Sequence, residues 1–264
     1  MVTAMAYSTV QIAHDDAACI ITLNRPDKRN AVSVQMMHEI ATAATEAEAD
    51  PGIVAVILTG GTAFFSAGAD LNEALAVKTT PQALAYFPEW HRLNGTLEAL
   101  RKPVIAAIEG FCITGGLELA MACDLRIAAS NASFAITSAK IGTVAGAGGT
   151  QRLPRLVGPA KALELLFSAD PIDAAEALRI GLVNRVVPTG QAVSEAKQLV
   201  QTYKARGPIS LALAKQAVYR GMQMDLASAI DLETLLVTAI YGTQDKQEGI
   251  SAFLEKRVPT FRGA

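Results

Sequence analysis

Twice in this chain an apolar, β-branched run ends at glycine and a helix begins directly afterwards, and that repetition restricts the fold more than any other feature. The first copy spans 53–75, where Ile53 to Thr59 leads into GGTAFFSAGAD and a helix start at Asp70-Leu71-Asn72-Glu73. The second spans 104–123: Val104 to Ile108, then Gly110, then Gly115 and Gly116, then a short apolar helix carrying one carboxylate, Glu118. Continuous apolar runs of this length read as strands buried on both faces, which belong to sheets covered by helices.

A strand-to-helix turn presents unpaired backbone N–H groups and a partial positive charge to whatever lies in front of it. Glycine lets a ligand come close to that backbone. The second turn is therefore expected to hold a developing negative oxygen, with Glu118 moving the proton. A plainer account also fits: Glu118 as a first-turn glutamate stabilised by the helix start, and Asp70 with Glu73 as a capping pair.

The rest of the chain supplies a frame for these two units. Residues 7–12 and 17–23 read as strands around a turn at His14-Asp15-Asp16. The loop NRPDKRNAVS then brings Arg25, Lys28 and Arg29 together ahead of a helix at 34–48. By itself the loop reads more readily as a solvated turn with ordinary charges. Helix 82–100 carries Trp90, His91 and Arg92, and its polar front edge, Lys78 to Pro81, reads as a flap over a site or as the start of a surface helix. His91 is a candidate base, although a histidine beside a tryptophan is more often a packing residue.

From Pro159 onward helices dominate, with breaks at Gly181, Pro188, Gly207-Pro208 and Gly221. The expected layout is a β/α core over 1–190 and a helical region over 191–264. Leu226 to Ile240 is more apolar than a surface helix requires, which suggests contact with another subunit.

Several classes lose their footing. A formal net charge of −2 over 264 residues provides no broad field for nucleic acid, so any phosphate-bearing ligand must rely on a few local cations. The three cysteines, Cys19, Cys112 and Cys123, lack metal spacing and read as reduced buried thiols of a cytoplasmic protein. His14, His38 and His91 offer no zinc spacing. The first sixteen residues lack a basic leader and a signal-length apolar run, and no stretch approaches the ~20 apolar residues of a membrane span. Gly146, Gly148 and Gly149 do not have dinucleotide spacing, and neither a phosphate-binding G-x-x-x-x-G-K-[ST] loop nor a G-x-S-x-G elbow occurs.

FFSAGADLNE, GFCITGGLELAMACDLRIAA, IGTVAGAGGTQRL and the ending EGISAFLEKRVPTF, in that order, resemble the crotonase family, the enoyl-CoA hydratase and isomerase superfamily. The likeness runs from NRPDKRNA to the tail. It implies an α/β fold with a stacked β/α spiral core over 1–190, binding acyl-CoA, and a helical C-terminal trimerisation region over 191–264. It implies a homotrimer or a homohexamer, and no cofactor beyond the coenzyme A carried by the substrate.

The family stabilises a thioester enolate with two backbone N–H groups, and the matching positions are taken as Ala67 in SAGAD and Gly115 in TGGLE. Coenzyme A contacts carried over residue by residue are Lys28 and Ala31, then Ala67, Asp70 and Leu71, and finally Phe253 and Lys256, the last two reaching a neighbouring subunit's ligand. Family hydratases use two glutamates. Glu118 occupies the first position, Ser138 stands at the second, and Ala145 replaces the usual proline of the glycine-rich turn. Serine cannot carry a proton as a carboxylate does without a base beside it.

Three accounts of that exchange stand side by side. Glu118 alone runs hydration or a double-bond shift, with water held by Ser138 or Thr137; or the site performs another enolate reaction, such as decarboxylation or C–C or thioester hydrolysis; or the protein binds acyl-CoA without turnover. Trp90-His91 is also similar to a pair in aryl-CoA dehalogenases of the superfamily, but these need an aspartate nucleophile where Ala145 falls.

Overall fold

The computed structural model describes residues 7–264. Residues 1–6, part of the expected core unit and of the segment read as lacking a leader, lie outside the described residues. The strands are β1 (Val10–Asp15), β2 (Ala18–Leu23), β3 (Ala55–Thr59), β4 (Val104–Ile108), β5 (Phe111–Ile113), β6 (Leu125–Ala129), β7 (Ser133–Ala135), β8 (Ile172–Asp173) and β9 (Arg185–Val187). The helices are α1 (Val34–Ala49), α2 (Leu71–Ala76), α3 (Thr80–Ala99), α4 (Gly115–Met121), α5 (Gly149–Val157) and α6 (Pro159–Ser168). They continue with α7 (Ala174–Arg179), α8 (Ala192–Lys204), α9 (Pro208–Gly221), α10 (Leu226–Tyr241) and α11 (Gln244–Leu254).

Six strands form one sheet in the order β1-β2-β3-β4-β6-β9, and β5, β7 and β8 form a second. Among the described residues only the β1–β2 hairpin is antiparallel in the large sheet; the remaining pairs run parallel. His14 and Asp15 pair within the hairpin's ladder instead of turning it, because Asp16 takes a left-handed φ of 49° and closes the turn alone with Ala17. Alternate residues of the parallel strands enter two separate cores. Val56, Leu58, Val104 and Ala106 pack with α1 and α3, whereas Ile57, Ile105, Ala107 and Ile127 pack with Ala196 and Val200 of α8. That division explains the unbroken apolar runs: neither face of β3 or β4 meets water.

The expected boundary at 190/191 falls just before α8. A cut at 190/191 would remove α8, which covers one face of the sheet through Ala192, Ala196, Leu199 and Val200. Among the described residues, the helices with no buried residues are the short α2 and, in the C-terminal region, α9 and α10. Lys215 of α9 ties that hairpin to the core by an ion pair to Asp124 at 2.9 Å and a hydrogen bond to the Leu97 carbonyl at 3.2 Å.

Two sequence readings are decided at helix starts. Lys78 to Pro81 is a cap, not a flap: Thr79 Oγ1 accepts from Gln82 N, the Gln82 side chain accepts from Thr79 N, and Pro81 lies in the first turn. Glu73 does not complete a capping pair with Asp70. Its carboxylate reaches across to accept from Val34 N at 2.8 Å, joining α2 to the start of α1. Among the described residues no single helix is long and apolar enough to cross a membrane.

Candidate active site

The segment 66–70 crosses between the loop after β2 and the β5–α4 connection. Ala67 N–H donates to the Arg29 carbonyl at 3.0 Å, and Gly68 N–H donates to Ser66 Oγ at 3.1 Å. Asp70 N–H donates to the Val32 carbonyl at 2.9 Å. Between these engaged groups Ala69 N–H has no acceptor among the described residues. Gly115 N–H, at the first position of α4, likewise has none. The two free donors are neighbours: a methyl at Gly115 would lie 3.1 Å from Ala69 N and 2.7 Å from the Trp90 ring.

Ala67 N–H, expected as the first donor, already points at the Arg29 carbonyl, and the free N–H beside Gly115 is that of Ala69. Ala67 and Ala69 flank Gly68 identically in the sequence. Which of them stays free depends on the carbonyl delivered by the loop after β2.

Glu118 sits one turn into α4, so Gly115 and Glu118 share a face. It is 2% exposed. Its Oε1 accepts from Ala147 N and Gly149 N, each at 2.8 Å. Burial raises its pKa above the ordinary carboxylate value, and the Gly149 and Ala147 N–H groups and the Arg152 charge offset only part of that rise. The clamp is itself held. The Ala147 carbonyl accepts from Asn94 Nδ2 at 2.7 Å and from Arg152 Nη1 at 3.2 Å, while Arg152 forks onto Glu98 at 2.6 and 2.9 Å. Gly149 is required where it stands, since a methyl there would meet Glu118 Oε1 at 2.9 Å and the Ala145 methyl at 3.0 Å.

Ser138 opens a short 3-10 turn, Ser138–Ile141, and is buried; its hydroxyl has no partner among the described residues. It lines a cavity of about 540 Å³ together with Ala145, Thr150, Leu163 and Phe167. Thr114 and Thr137, which precede Gly115 and Ser138, face each other with hydroxyls 2.8 Å apart. Neither threonine's link to the other is visible in the motif spacing, because β5 and β7 meet only through sheet pairing.

The expected coenzyme A residues divide into two groups. Lys28, Ala31, Asp70 and Leu71 are drawn together by the Val32–Ala69 bridge and by the Arg25–Asp70 ion pair at 2.8 Å. Asp70 caps α2. Its burial alone would raise its pKa, but the Arg25 guanidinium and the Asn72 N–H outweigh this and hold the carboxyl below the usual range. Lys28 is exposed, and Leu71 is 63% exposed. Phe253, 83% exposed, and Lys256 lie on and just after α11, and no hydrogen bond or ion pair joins them to the first group among the described residues.

The α3 residues also separate. Trp90 turns inward against Gly115, and the Phe87 ring packs at Gly146. His91 is exposed and lines a different cavity, of about 440 Å³, with Glu98, Arg152, Arg155 and Tyr219.

A family model described as enoyl-CoA hydratase/isomerase matches residues 14–264. A probable enoyl-CoA hydratase of Mycobacterium tuberculosis is 42% identical over 259 residues, covering 97% of this chain and 99% of the relative. A crotonyl-CoA hydratase of Syntrophomonas wolfei is 41% identical over 258 residues, again covering 97% and 99%. The crystal structure of enoyl-CoA hydratase from Bacillus anthracis superposes with a TM-score of 0.92 at 37% identity, covering 97% of this chain and 100% of that one.

Proposed function

This chain belongs to the enoyl-CoA hydratase/isomerase family, the crotonases, and on that footing we propose that it hydrates an enoyl-CoA thioester to the 3-hydroxyacyl-CoA with Glu118 as the acid and base. One observation carries the reading: a buried, clamped carboxylate stands one helical turn from a free N–H that adjoins a second free N–H. Ala69 and Gly115 donate to the thioester oxygen. As water adds to the β-carbon, the π pair moves onto that oxygen and Glu118 takes the water's proton. The same carboxyl then protonates the α-carbon as the carbonyl re-forms. Two N–H groups fixed in advance stabilise the enolate without reorganising, and the raised pKa of Glu118 brings it nearer to the pH at which it must both accept and return a proton.

Relatives of this identity named for crotonyl-CoA and short-chain enoyl-CoA hydration support the substrate class. Lys28, Ala31, Asp70 and Leu71 are assigned to the coenzyme A side. Phe253 and Lys256 serve a neighbouring subunit's ligand, since in their own chain they stand apart from that loop. No cofactor beyond the substrate's own coenzyme A enters the scheme. The exposed apolar side chains of α9 and α10, among them Val218, Leu226, Leu235 and Tyr241, support a homotrimer or homohexamer. Sedimentation equilibrium should return one of these masses, and Leu235→Glu should lower it; a wild-type monomer would refute the assembly. Three free, buried cysteines support a cytoplasmic location.

Ser138 is the feature that favours a different enolate reaction, such as decarboxylation or thioester hydrolysis. Assaying crotonyl-CoA hydration by Ser138→Glu decides between them. If hydration runs on one carboxylate and lacks the second, the added group should raise kcat by about tenfold or more. Unchanged hydration in that variant would mean that the missing carboxylate does not limit the reaction, and no hydration by the wild type would move the site to another enolate chemistry.

A further inference from the structure

Thr114 has φ 43° and ψ −111°, a combination that a β-branched L-residue adopts only where its surroundings over-determine it. The surroundings here are fully accounted for. Thr114 N–H donates to the Ala135 carbonyl at 2.7 Å, and its carbonyl accepts from Glu118 N at 2.8 Å. Its Oγ1 accepts from Thr137 N at 3.0 Å and lies 2.8 Å from Thr137 Oγ1. The strained ψ sets the plane of the 114–115 peptide. One edge of that peptide is the carbonyl that receives Glu118 N–H; the other edge is the free Gly115 N–H. Relaxing Thr114 would therefore swing the donor away from Ala69 and loosen the turn of helix that carries the acid.

We propose that Thr114 is a positioning residue: its hydroxyl, paired with Thr137, holds the 114–115 peptide in the strained orientation that aims Gly115 N–H at the substrate's thioester oxygen. The same pair sets Ser138, the residue after Thr137, in register with the donor. This rests on the enolate reading of the site. Glycine would tolerate the backbone angles but has no hydroxyl to hold them; valine keeps the shape of threonine and lacks the hydroxyl; serine keeps the hydroxyl.

The test is kinetic and spectroscopic, on Thr114→Gly, Thr114→Val, Thr114→Ser and Thr137→Val. The Gly and both Val variants should lose about ten- to a hundredfold in kcat with KM little changed, as expected for a misplaced group. Thr114→Gly should do so without a lower Tm than the wild type, and Thr114→Ser should keep kcat. A bound chromophoric cinnamoyl-CoA thioester reads carbonyl polarisation without turnover: its red shift should shrink in the Gly and Val variants and persist in the Ser variant. Wild-type kcat and red shift in Thr114→Gly would overturn the proposal, as would a Ser variant that fails like Val. A wild type that shifts the chromophore but hydrates nothing would remove the hydration reading and leave the positioning role to stand on the spectra; a wild type that gives no shift would remove both.

Discussion

Glu118→Gln is expected to lower kcat for enoyl-CoA hydration by about a thousandfold, within the range that a lost general acid and base accounts for, while leaving the fold and thioester binding in place. Glutamine keeps an Oε1 that can accept from Ala147 N and Gly149 N, so the clamp on the glycine-rich turn survives. What disappears is the carboxyl group's ability to take up and return a proton. Substrate affinity measured with a non-reacting acyl-CoA should stay near the wild-type value, because the thioester oxygen is held by backbone. Retained turnover would remove Glu118 from the chemistry.

The same variant should change the pH dependence of stability. Burial raises the Glu118 pKa in the folded state, so the native protein holds this proton more tightly than the unfolded chain. Stability contributed by the protonated form is then present below the unfolded-state value and is lost as pH rises through the folded-state value. Glutamine cannot ionise. Glu118→Gln should therefore gain Tm over the wild type above that window and lose the advantage below it. An advantage that is the same at every pH would mean that ionisation of the buried carboxyl is not its source.

Gly115→Ala is the second large effect. The added methyl would lie 2.7 Å from the Trp90 ring and 3.1 Å from Ala69 N, within the space between the two free donors. Loss of a single preorganised donor of this kind lowers rates about a hundred- to a thousandfold, and kcat/KM should fall by that order. Trp90 is the chain's one tryptophan, so its emission should shift as the ring gives way. Gly95→Ala is the comparator: it lies within α3 and its added methyl meets nothing within 4 Å. It should leave activity intact and stabilise the protein by about 0.5–1 kcal/mol. Full activity in Gly115→Ala would show that the oxygen does not bind between these two N–H groups.

The sequence by itself determined the α/β class, the two buried strands that feed glycine turns, and Glu118 as the carboxylate inside the second turn. These are local properties: apolar runs, glycine and one acid within a few residues of one another are set by neighbouring chemistry. The family followed from motifs in order. Glu73 was legible as an acid near a helix start, but not as the partner of Val34 N, which belongs to another helix.

Only the tertiary structure decided which alanine of SAGAD has a free N–H. Ala67 and Ala69 stand in equivalent local settings, and the difference is the Arg29 carbonyl, brought up by a loop that precedes α1. The same holds for His91, which the turn of α3 directs away from the Trp90 side, and for α8, whose small apolar face belongs to the sheet although its sequence resembles the helical tail. Thr114 is the sharpest instance. Its strained backbone and its bond to Thr137 arise from the pairing of β5 with β7, and a backbone hydrogen bond between distant segments has no signature in either segment alone.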